Sequence, residues 1–306
     1  MTALFILTRA IHIGACLLFF SIFAFDRFAA VVLGGQSTIA VYWHSRIRWF
    51  SLALAPVILI SGIAWFAFVA MSMSGESLQL EILKTVWMRT EFGIVSRARL
   101  IFWLAVAAMS LLGSFKLPSA PQKRLMALQL VLSGCLLGSL AWCGHGRESS
   151  PWHLFADILH LLAAGFWPAG LLPLVLLLNK LRETSLPEDW TSTAALVRRF
   201  SAISLGCVAL LAATGFVNSW YLVGSFSNLV SQPYGRWLSA KIILYFIAGA
   251  IGAVNLLRLK PRLLNTNSQL QPGNDLVAQL RRNVLFEIFL GTVIVVIVAI
   301  LGILPP

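Results

Sequence analysis

Charged residues are scarce in this chain. Its 23 Lys and Arg and 11 Asp and Glu make up only 11% of 306 residues, whereas a soluble globular protein carries about a quarter charged residues. Hydrophobic residues make up 59%, and the mean hydropathy is +0.86. A chain this apolar cannot hide its hydrophobic residues in one soluble core. The composition therefore excludes a soluble globular protein and a disordered one, and it leaves a polytopic membrane protein.

Cysteine is also rare, and nucleotide-binding motifs are missing. The four cysteines form no CxxC pair and no disulfide-like framework, and three of them lie in apolar runs, where Cys is typically a small buried hydrophobic residue. Cys143 differs because it ends an apolar run two residues before His145. The chain has no Walker motif, which excludes transport driven by ATP bound to this protein.

Hydrophobic runs long enough to cross a hydrocarbon core of about 30 Å occur eight times. They are rich in Leu, Ala, Ile and Phe and lack the strict alternation of a membrane β-barrel. In hydrocarbon each backbone polar group must be paired within its own segment, so the runs predict helices. We expect an all-α, polytopic bundle forming a single transmembrane domain over residues 1–306. The predicted spans are about 3–25, 49–73, 97–115, 125–143, 152–178, 200–223, 237–257 and 284–304.

Basic residues set the predicted orientation. Fifteen of them fall in the odd-numbered loops and seven in the even-numbered loops and adjoining helix ends, a group that includes Arg99. The positive-inside rule places the odd loops in the cytoplasm, so both termini of this multi-pass protein face the other side, which is the periplasm in a Gram-negative cell. The net charge of +12 then reflects loops that face the anionic lipid of the bilayer. It does not indicate a nucleic-acid partner.

Ionisable residues inside spans are costly and therefore candidates for function. His12 and His160 each lie about nine residues, or roughly 13 Å, from the outer end of their spans. His153, Asp157 and His160 share one helix face through their i, i+4, i+7 spacing. We expect a polar cluster in the outer half of the bundle and a second, inner pair. The expected outer cluster is Arg9, His12, Asp157, His160, Asn218 and Lys241, and the inner pair is Asn255 and Glu287.

Soft ligands gather at the same outer surface. Cys143 and His145 come just before span five and His153 lies at its start, so the three cluster at the outer membrane surface, and Met71 and Met73 end span two on that side. Thiolate, thioether and imidazole suit Cu⁺, imidazole also suits Cu²⁺ and haem iron, and zinc takes Cys and His as well. From the residues alone the metal stays open. The pattern identifies no catalytic residue.

Several motifs resemble the copper resistance protein D (CopD) family of bacterial inner-membrane proteins. The first is GHGRESSPWHLFADILHLLAAGFWPAGLLPL at residues 144–174, and Arg9-Ala-Ile-His12 is similar to the family's first helix. Further similar stretches are Arg199-Phe200-Ser201, Thr214-Gly215, Tyr234-Gly235 and the last span with Glu287. One departure is Pro168 after Trp167, where the family often has Gly-Gly. We expect Pro168 to kink span five below His160.

The resemblance implies copper handling, with uptake of Cu⁺ or Cu²⁺ from the periplasm toward the cytoplasm beside a periplasmic copper-binding partner. On this reading Cys143, His145, His153, Met71 and Met73 capture copper and pass it to His12, Asp157 and His160. One alternative is a b-type haem protein for electron transfer or metal reduction, with His12 and His160 as axial ligands. A second alternative is a copper chaperone or assembly subunit that does not transport.

Overall fold

The computed structural model describes residues 2–33, 38–113, 119–144, 150–181, 187–259 and 274–305. This part of the chain is helical throughout its regular elements and contains no strand, which confirms the all-α prediction. The helices are α1 (Thr2–Leu33), α2 (Thr38–Ser74), α3 (Leu80–Arg89), α4 (Glu91–Leu112), α5 (Ser119–Gly138), α6 (Pro151–Phe166), α7 (Leu171–Leu181), α8 (Pro187–Val223), α9 (Phe226–Ser231), α10 (Pro233–Val254) and α11 (Asn274–Leu301). A 3₁₀ turn (Ser139–Cys143) extends α5, and a π-helical turn (Asn255–Leu259) extends α10.

Eight of the described segments are long and apolar enough to cross a membrane, as the sequence predicts. They are Thr2–Leu33, Tyr42–Ser74, Glu91–Leu112, Pro121–Cys143, Pro151–Lys180, Ala194–Val223, Pro233–Leu257 and Val277–Leu301. All eight overlap the predicted spans, but several extend beyond them: the first ends at 33 and not 25, and the second, sixth and eighth begin six or seven residues earlier than predicted. The third begins at Glu91 and not at 97, because Thr90 caps it by accepting a hydrogen bond from the backbone N–H of Gly93 at 3.0 Å.

Helix α1 lies at the centre of the bundle. It packs against α2, α5, α6, α8 and α11, and 61% of its most apolar window is buried. Its residues are apolar on nearly all sides, a pattern typical of a helix surrounded by other helices. Phe19 and Phe25 are among the most completely buried side chains, and Phe25 meets Trp43 of α2 edge to face at 5.3 Å. The central position of α1 lets its opposite faces line two different cavities.

The fifth span is interrupted in the middle. Its first half, α6, begins where the sequence predicts, because Ser150 accepts hydrogen bonds from the N–H groups of Trp152 and His153, and Pro151 occupies the first turn. The helix ends at Phe166, and a four-residue turn containing Pro168 precedes α7. The predicted kink at Pro168 is therefore a complete break. It lies two turns below His160.

The segment between the second and third spans forms a short surface helix. The predicted interfacial segment from Ser74 to Ser96 contains α3 and the start of α4. Leu80 is 72% exposed and Met88 is 65% exposed, whereas Val86 is buried against the bundle. This one-sided burial is typical of a helix that lies along a membrane surface.

Close packing of α6 on α1 and α5 depends on a glycine at position 165. A Cβ atom built on Gly165 would lie 2.6 Å from Cδ1 of Phe20 and 2.8 Å from Cδ2 of Leu137. We expect Gly165→Ala to destabilise the folded protein by about 1–3 kcal/mol through overpacking. Thermal unfolding in detergent measures this effect as a lower midpoint. Gly206→Ala is the control, since nothing lies within 4 Å of a Cβ at Gly206. Equal midpoints for the two variants would contradict the prediction.

Candidate functional site

Two cavities flank α1 on opposite faces. The first cavity, of about 310 Å³, lies between α1, α2 and α4, and its wall includes His12, Trp65, Arg99 and Cys143. The second, which we call the cleft, has about 1040 Å³ and lies between α1, α6, α8, α10 and α11. The α1 residues facing the cleft are Leu7, Ala10, Ile11, Gly14, Leu17 and Leu18. They form an i, i+3, i+4, i+7 stripe, so His12 points to the opposite side.

His12 is held in the first cavity by a closed set of hydrogen bonds. Nη2 of Arg99 lies 2.7 Å from Nε2 of His12, and Nδ1 of His12 lies 3.0 Å from Oγ of Ser61. Because a guanidinium only donates, Nε2 must accept and Nδ1 must carry the proton. Ser61 accepts that proton and donates to the carbonyl of Val57 at 2.6 Å. The imidazole is therefore neutral, and both of its nitrogens are occupied.

Arg99 is a residue of this site that the sequence analysis missed, because it was counted among the charges of the loops and helix ends. It is only 8% exposed and donates to four neutral groups. These are Oγ of Ser139 at 2.7 Å, the carbonyl of Leu136 at 3.0 Å, Nε2 of His12 and Sγ of Cys16 at 3.7 Å. A signal was present, because Arg97 and Arg99 are two residues apart and cannot share one helix face. One of them had to point into the bundle.

His160 lies in the cleft, and its two nitrogens differ. Nδ1 lies 2.9 Å from Oγ1 of Thr214, which itself donates to the carbonyl of Leu210 at 2.6 Å. Thr214 therefore accepts from His160, and the proton of the neutral ring is on Nδ1. Among the described residues Nε2 has no hydrogen-bond partner. Its lone pair is available to a ligand in the cleft.

Asp157 lies one turn before His160 on α6 and is bound to α8. Nδ2 of Asn218 donates to Oδ1 of Asp157 at 3.1 Å, as expected for two members of the predicted outer cluster. Lys241, which lines the cleft from α10, is the cation that acts most strongly on Asp157. Lys241 also acts on His160. Of these four predicted residues, His160 and Lys241 line the cleft, and Asp157 is paired with Asn218 outside its lining.

The predicted inner pair lies at the other end of the cleft. Nδ2 of Asn255 donates to Oε1 of Glu287 at 2.7 Å, and Nδ2 of Asn283 donates to Oδ1 of Asn255 at 2.7 Å. Glu287 is only 3% exposed and lines the cleft. Asn255 opens the π-helical turn, and such turns are frequent at functional sites.

Arg9 joins the first helix to the end of the last one. Its Nη1 donates to the carbonyl of Gly302 at 2.8 Å, and its guanidinium lies 5.2 Å from the ring centroid of Trp65. A Cβ atom at position 302 would collide with the guanidinium, so the close approach requires glycine. The guanidinium of Arg9 therefore lies at the C-terminal end of α11, where the helix dipole favours a positive charge.

The predicted outer ligands are spread over the same end of the bundle. Cys143 lines the first cavity, His153 is 1% exposed and stacks on Tyr221 at 4.9 Å, and Met73 is 58% exposed. Met71 is half-buried near the end of α2. His145 lies outside the described residues. Within the described ranges no three His, Cys, Asp or Glu side chains are close enough together to hold a metal ion.

The haem alternative is not supported by this geometry. His12 and His160 line different cavities, on opposite sides of α1, and Nε2 of His12 is already bound to Arg99. A bis-histidine iron needs one free nitrogen from each ring, facing a shared space.

Comparison with known proteins shows which family these features belong to. Residues 1–154 match the model of the copper resistance protein D-like N-terminal domain, and residues 194–301 match the model of copper resistance protein D. Copper resistance protein D of Pseudomonas syringae pv. tomato is 31% identical over 216 residues, which cover 68% of each chain. Copper transport protein CutJ of Bacillus subtilis (strain 168) is 34% identical over 124 residues, 40% of this chain and 22% of CutJ. No solved structure matches the chain.

The matched regions include part of the lining of each cavity. His12 and Arg99 of the first cavity fall in the N-terminal match, and Lys241 and Glu287 of the cleft fall in the second, whereas His160 lies between the two matched regions. Together with eight apolar helices and copper-related relatives, these matches establish a copper-related membrane protein. The chain belongs to the copper resistance protein D family and is a multi-pass protein of the bacterial inner membrane.

Proposed function

We propose that this protein transports copper from the periplasm toward the cytoplasm through the cleft, with His160 as the first ligand inside the bundle. The observation that carries the proposal is the free Nε2 of His160 in a cleft that continues to Glu287. The names of two relatives, one concerned with copper resistance and one with copper transport, supply the metal. The direction is the one that the resemblance to the family implies, and the predicted orientation of the loops places the His160 end of the cleft toward the periplasm.

The ring of His160 is prepared for a metal. Metal-binding imidazoles usually donate their second N–H to a fixed acceptor, which sets the tautomer and the direction of the lone pair. Thr214 serves as that acceptor. A neutral imidazole suits both Cu⁺ and Cu²⁺, so the ring does not select an oxidation state.

Asp157 and Lys241 control the charge around this ligand. The carboxylate of Asp157 attracts a cation, and in the resting structure Lys241 is the charge that acts on it most strongly. Copper and Lys241 repel each other and compete for the same carboxylate. We propose that an arriving copper ion takes over the attraction of Asp157 and that Lys241 withdraws along the cleft. Lys241 then acts as a gate.

Glu287 offers the next negative group along the same space. Its carboxyl group is oriented by Asn255 and faces the cleft, so a cation leaving His160 can be received there. His160 and Glu287 line the same cleft, so no helix separates the two sites. We propose Asn255 as the residue that keeps the carboxyl group in position.

Capture of copper before the cleft is assigned to the predicted ligands at the same end of the bundle. Met73 is exposed, Met71 and Cys143 are half-buried, and His153 is buried. We propose that they, with His145, receive copper from a periplasmic copper-binding protein. His12 has no free nitrogen in this arrangement and would join the path only after Arg99 releases it.

The first test replaces the proposed ligand. We expect His160→Ala to weaken copper binding to the purified protein by about a hundredfold. Removing a metal ligand lowers the metal affinity more than removing the residue that orients that ligand. Copper accumulation by expressing cells falls in parallel. His44→Ala is the matched control, because His44 is a half-exposed histidine bound to Asp26 and Gln122 at a distance from the cleft.

The outcomes separate the three functions. Unchanged cellular copper for both wild type and His160→Ala would contradict transport and favour a chaperone or assembly subunit. A Soret band in the optical spectrum of the purified protein, lost in His160→Ala, would favour haem. A colourless protein whose bound copper depends on His160 supports the transport proposal.

The second test removes the partner of the ligand and leaves the ligand itself. We expect Thr214→Val, which keeps the shape, to weaken copper binding by about tenfold because the ring of His160 loses its orienting acceptor. The measurement is a competition titration of the purified protein with a copper chelator. Thr292→Val is the control, since the Thr292 hydroxyl also lies in the cleft and bonds only to the carbonyl of Ile288. A Thr214→Val affinity equal to that of wild type would show that Thr214 does not orient a ligand.

A further inference from the structure

The first cavity contributes Cys143 to the proposed capture of copper but lies off the path through the cleft, and its walls combine aromatic rings with a buried cation. It is separated from the cleft by α1 and lies between α1, α2 and α4, with Trp87 of α3 also in its wall. A volume of about 310 Å³ is at the lower end of the range for cavities that hold a small organic molecule. The side chains that line the first cavity differ in kind from those that line the cleft.

Aromatic side chains form most of one wall. Phe66 and Phe92 stack with their ring centroids 5.8 Å apart and their planes within 13°, and Trp87 meets Phe66 edge to face at 5.4 Å. Trp65 contacts Phe92 at 6.2 Å, and Trp103 is fixed by a hydrogen bond from Nε1 to the carbonyl of Ala55. These rings are oriented by one another or by the backbone. Such a surface is suited to a flat, unsaturated ring.

The lining of the first cavity also carries a positive charge. The four acceptors described for Arg99 are neutral, and a guanidinium that is only 8% exposed has lost most of its hydration. A buried cation is stabilised by an oxygen acceptor that carries negative charge. The indole Nε1 of Trp65, on the same wall as the rings, is also buried without a described acceptor. The cavity therefore offers a flat apolar surface beside groups that donate hydrogen bonds.

The cavity opens toward the lipid. Ile63 lines it and is 62% exposed, at a position in the middle of the second span. In a membrane-spanning helix this exposure faces hydrocarbon, so a ligand enters from the bilayer. Copper is disfavoured here because Arg99 repels a cation. An acyl chain makes no use of the guanidinium, and a small inorganic anion makes no use of the rings.

We propose that the first cavity binds the headgroup of a membrane quinone, with the quinone ring against Phe66, Phe92 and Trp87 and one carbonyl oxygen toward Arg99. A quinone is planar, is dissolved in the bilayer, and carries an acceptor oxygen that becomes more basic when the ring is reduced. The planar ring fits the aromatic side chains, solubility in the bilayer fits the lipid-facing opening, and the acceptor oxygen fits the guanidinium of Arg99. The site is independent of copper transport.

The test is a binding titration of the purified, detergent-solubilised protein with a short-chain ubiquinone. Tryptophan fluorescence reports binding, since Trp65, Trp87 and Trp103 line the cavity. We expect saturable quenching that Ser96→Leu abolishes by filling the cavity. Ser201→Leu is the matched control, because Ser96 and Ser201 are both half-buried helix serines bonded to the carbonyl four residues earlier, at 2.7 and 2.8 Å. Ser201 lines neither cavity.

A second variant tests the charge. We expect Arg99→Gln to raise the dissociation constant of the quinone by about tenfold, the effect of losing one charge-assisted contact. If this variant does not fold, Ser96→Leu against Ser201→Leu still decides the question. Absence of saturable quenching in the wild type, or equal quenching in both serine variants, would overturn the proposal. Because the readout contains no copper, its failure and a failure of copper transport are distinguishable.

Discussion

A hydrocarbon interior offers no water to a polar group, so each buried polar side chain of this protein must find its partner in the protein. Helix α1 satisfies much of this requirement. Through Arg9 it binds the last helix, and through His12 it binds α2 and α4. The arrangement of the bundle around α1 follows from these few contacts as much as from apolar packing, because lipid tails are as apolar as leucine and do not drive helices together.

The same constraint separates two histidines that are alike in sequence. His12 has a donor on one nitrogen and an acceptor on the other, so its hydrogen-bonding capacity is complete and it holds helices together. His160 has one partner, and its second nitrogen faces an open space. The difference arises from Arg99. It occupies Nε2 of His12, whereas at the corresponding place near His160 the cleft is open.

Much of this fold can be predicted from sequence because hydrophobic length is a strong signal. The eight spans, the cap at Ser150 and the break at Pro168 follow from local composition. Arg99 could not be placed correctly once the third span was thought to begin at 97, since the real start at Glu91 depends on the cap at Thr90. The pairing of Asn218 with Asp157 and of Asn255 with Glu287 agrees with depth arguments. The depth of a residue along its helix, however, does not show which side of the helix it occupies. For this reason the sequence could not assign His12 and His160 to different cavities.

The contact between Arg9 and Gly302 joins residues that are 293 positions apart. During synthesis α1 enters the membrane long before α11 exists, so the guanidinium of Arg9 lacks its carbonyl partner until α11 has been made. Trp65, which enters with the second helix and lies over the guanidinium, is the group that can shelter the charge in the meantime. Assembly of the bundle thus has an order in time, and the contact between α1 and α11 forms late in that order.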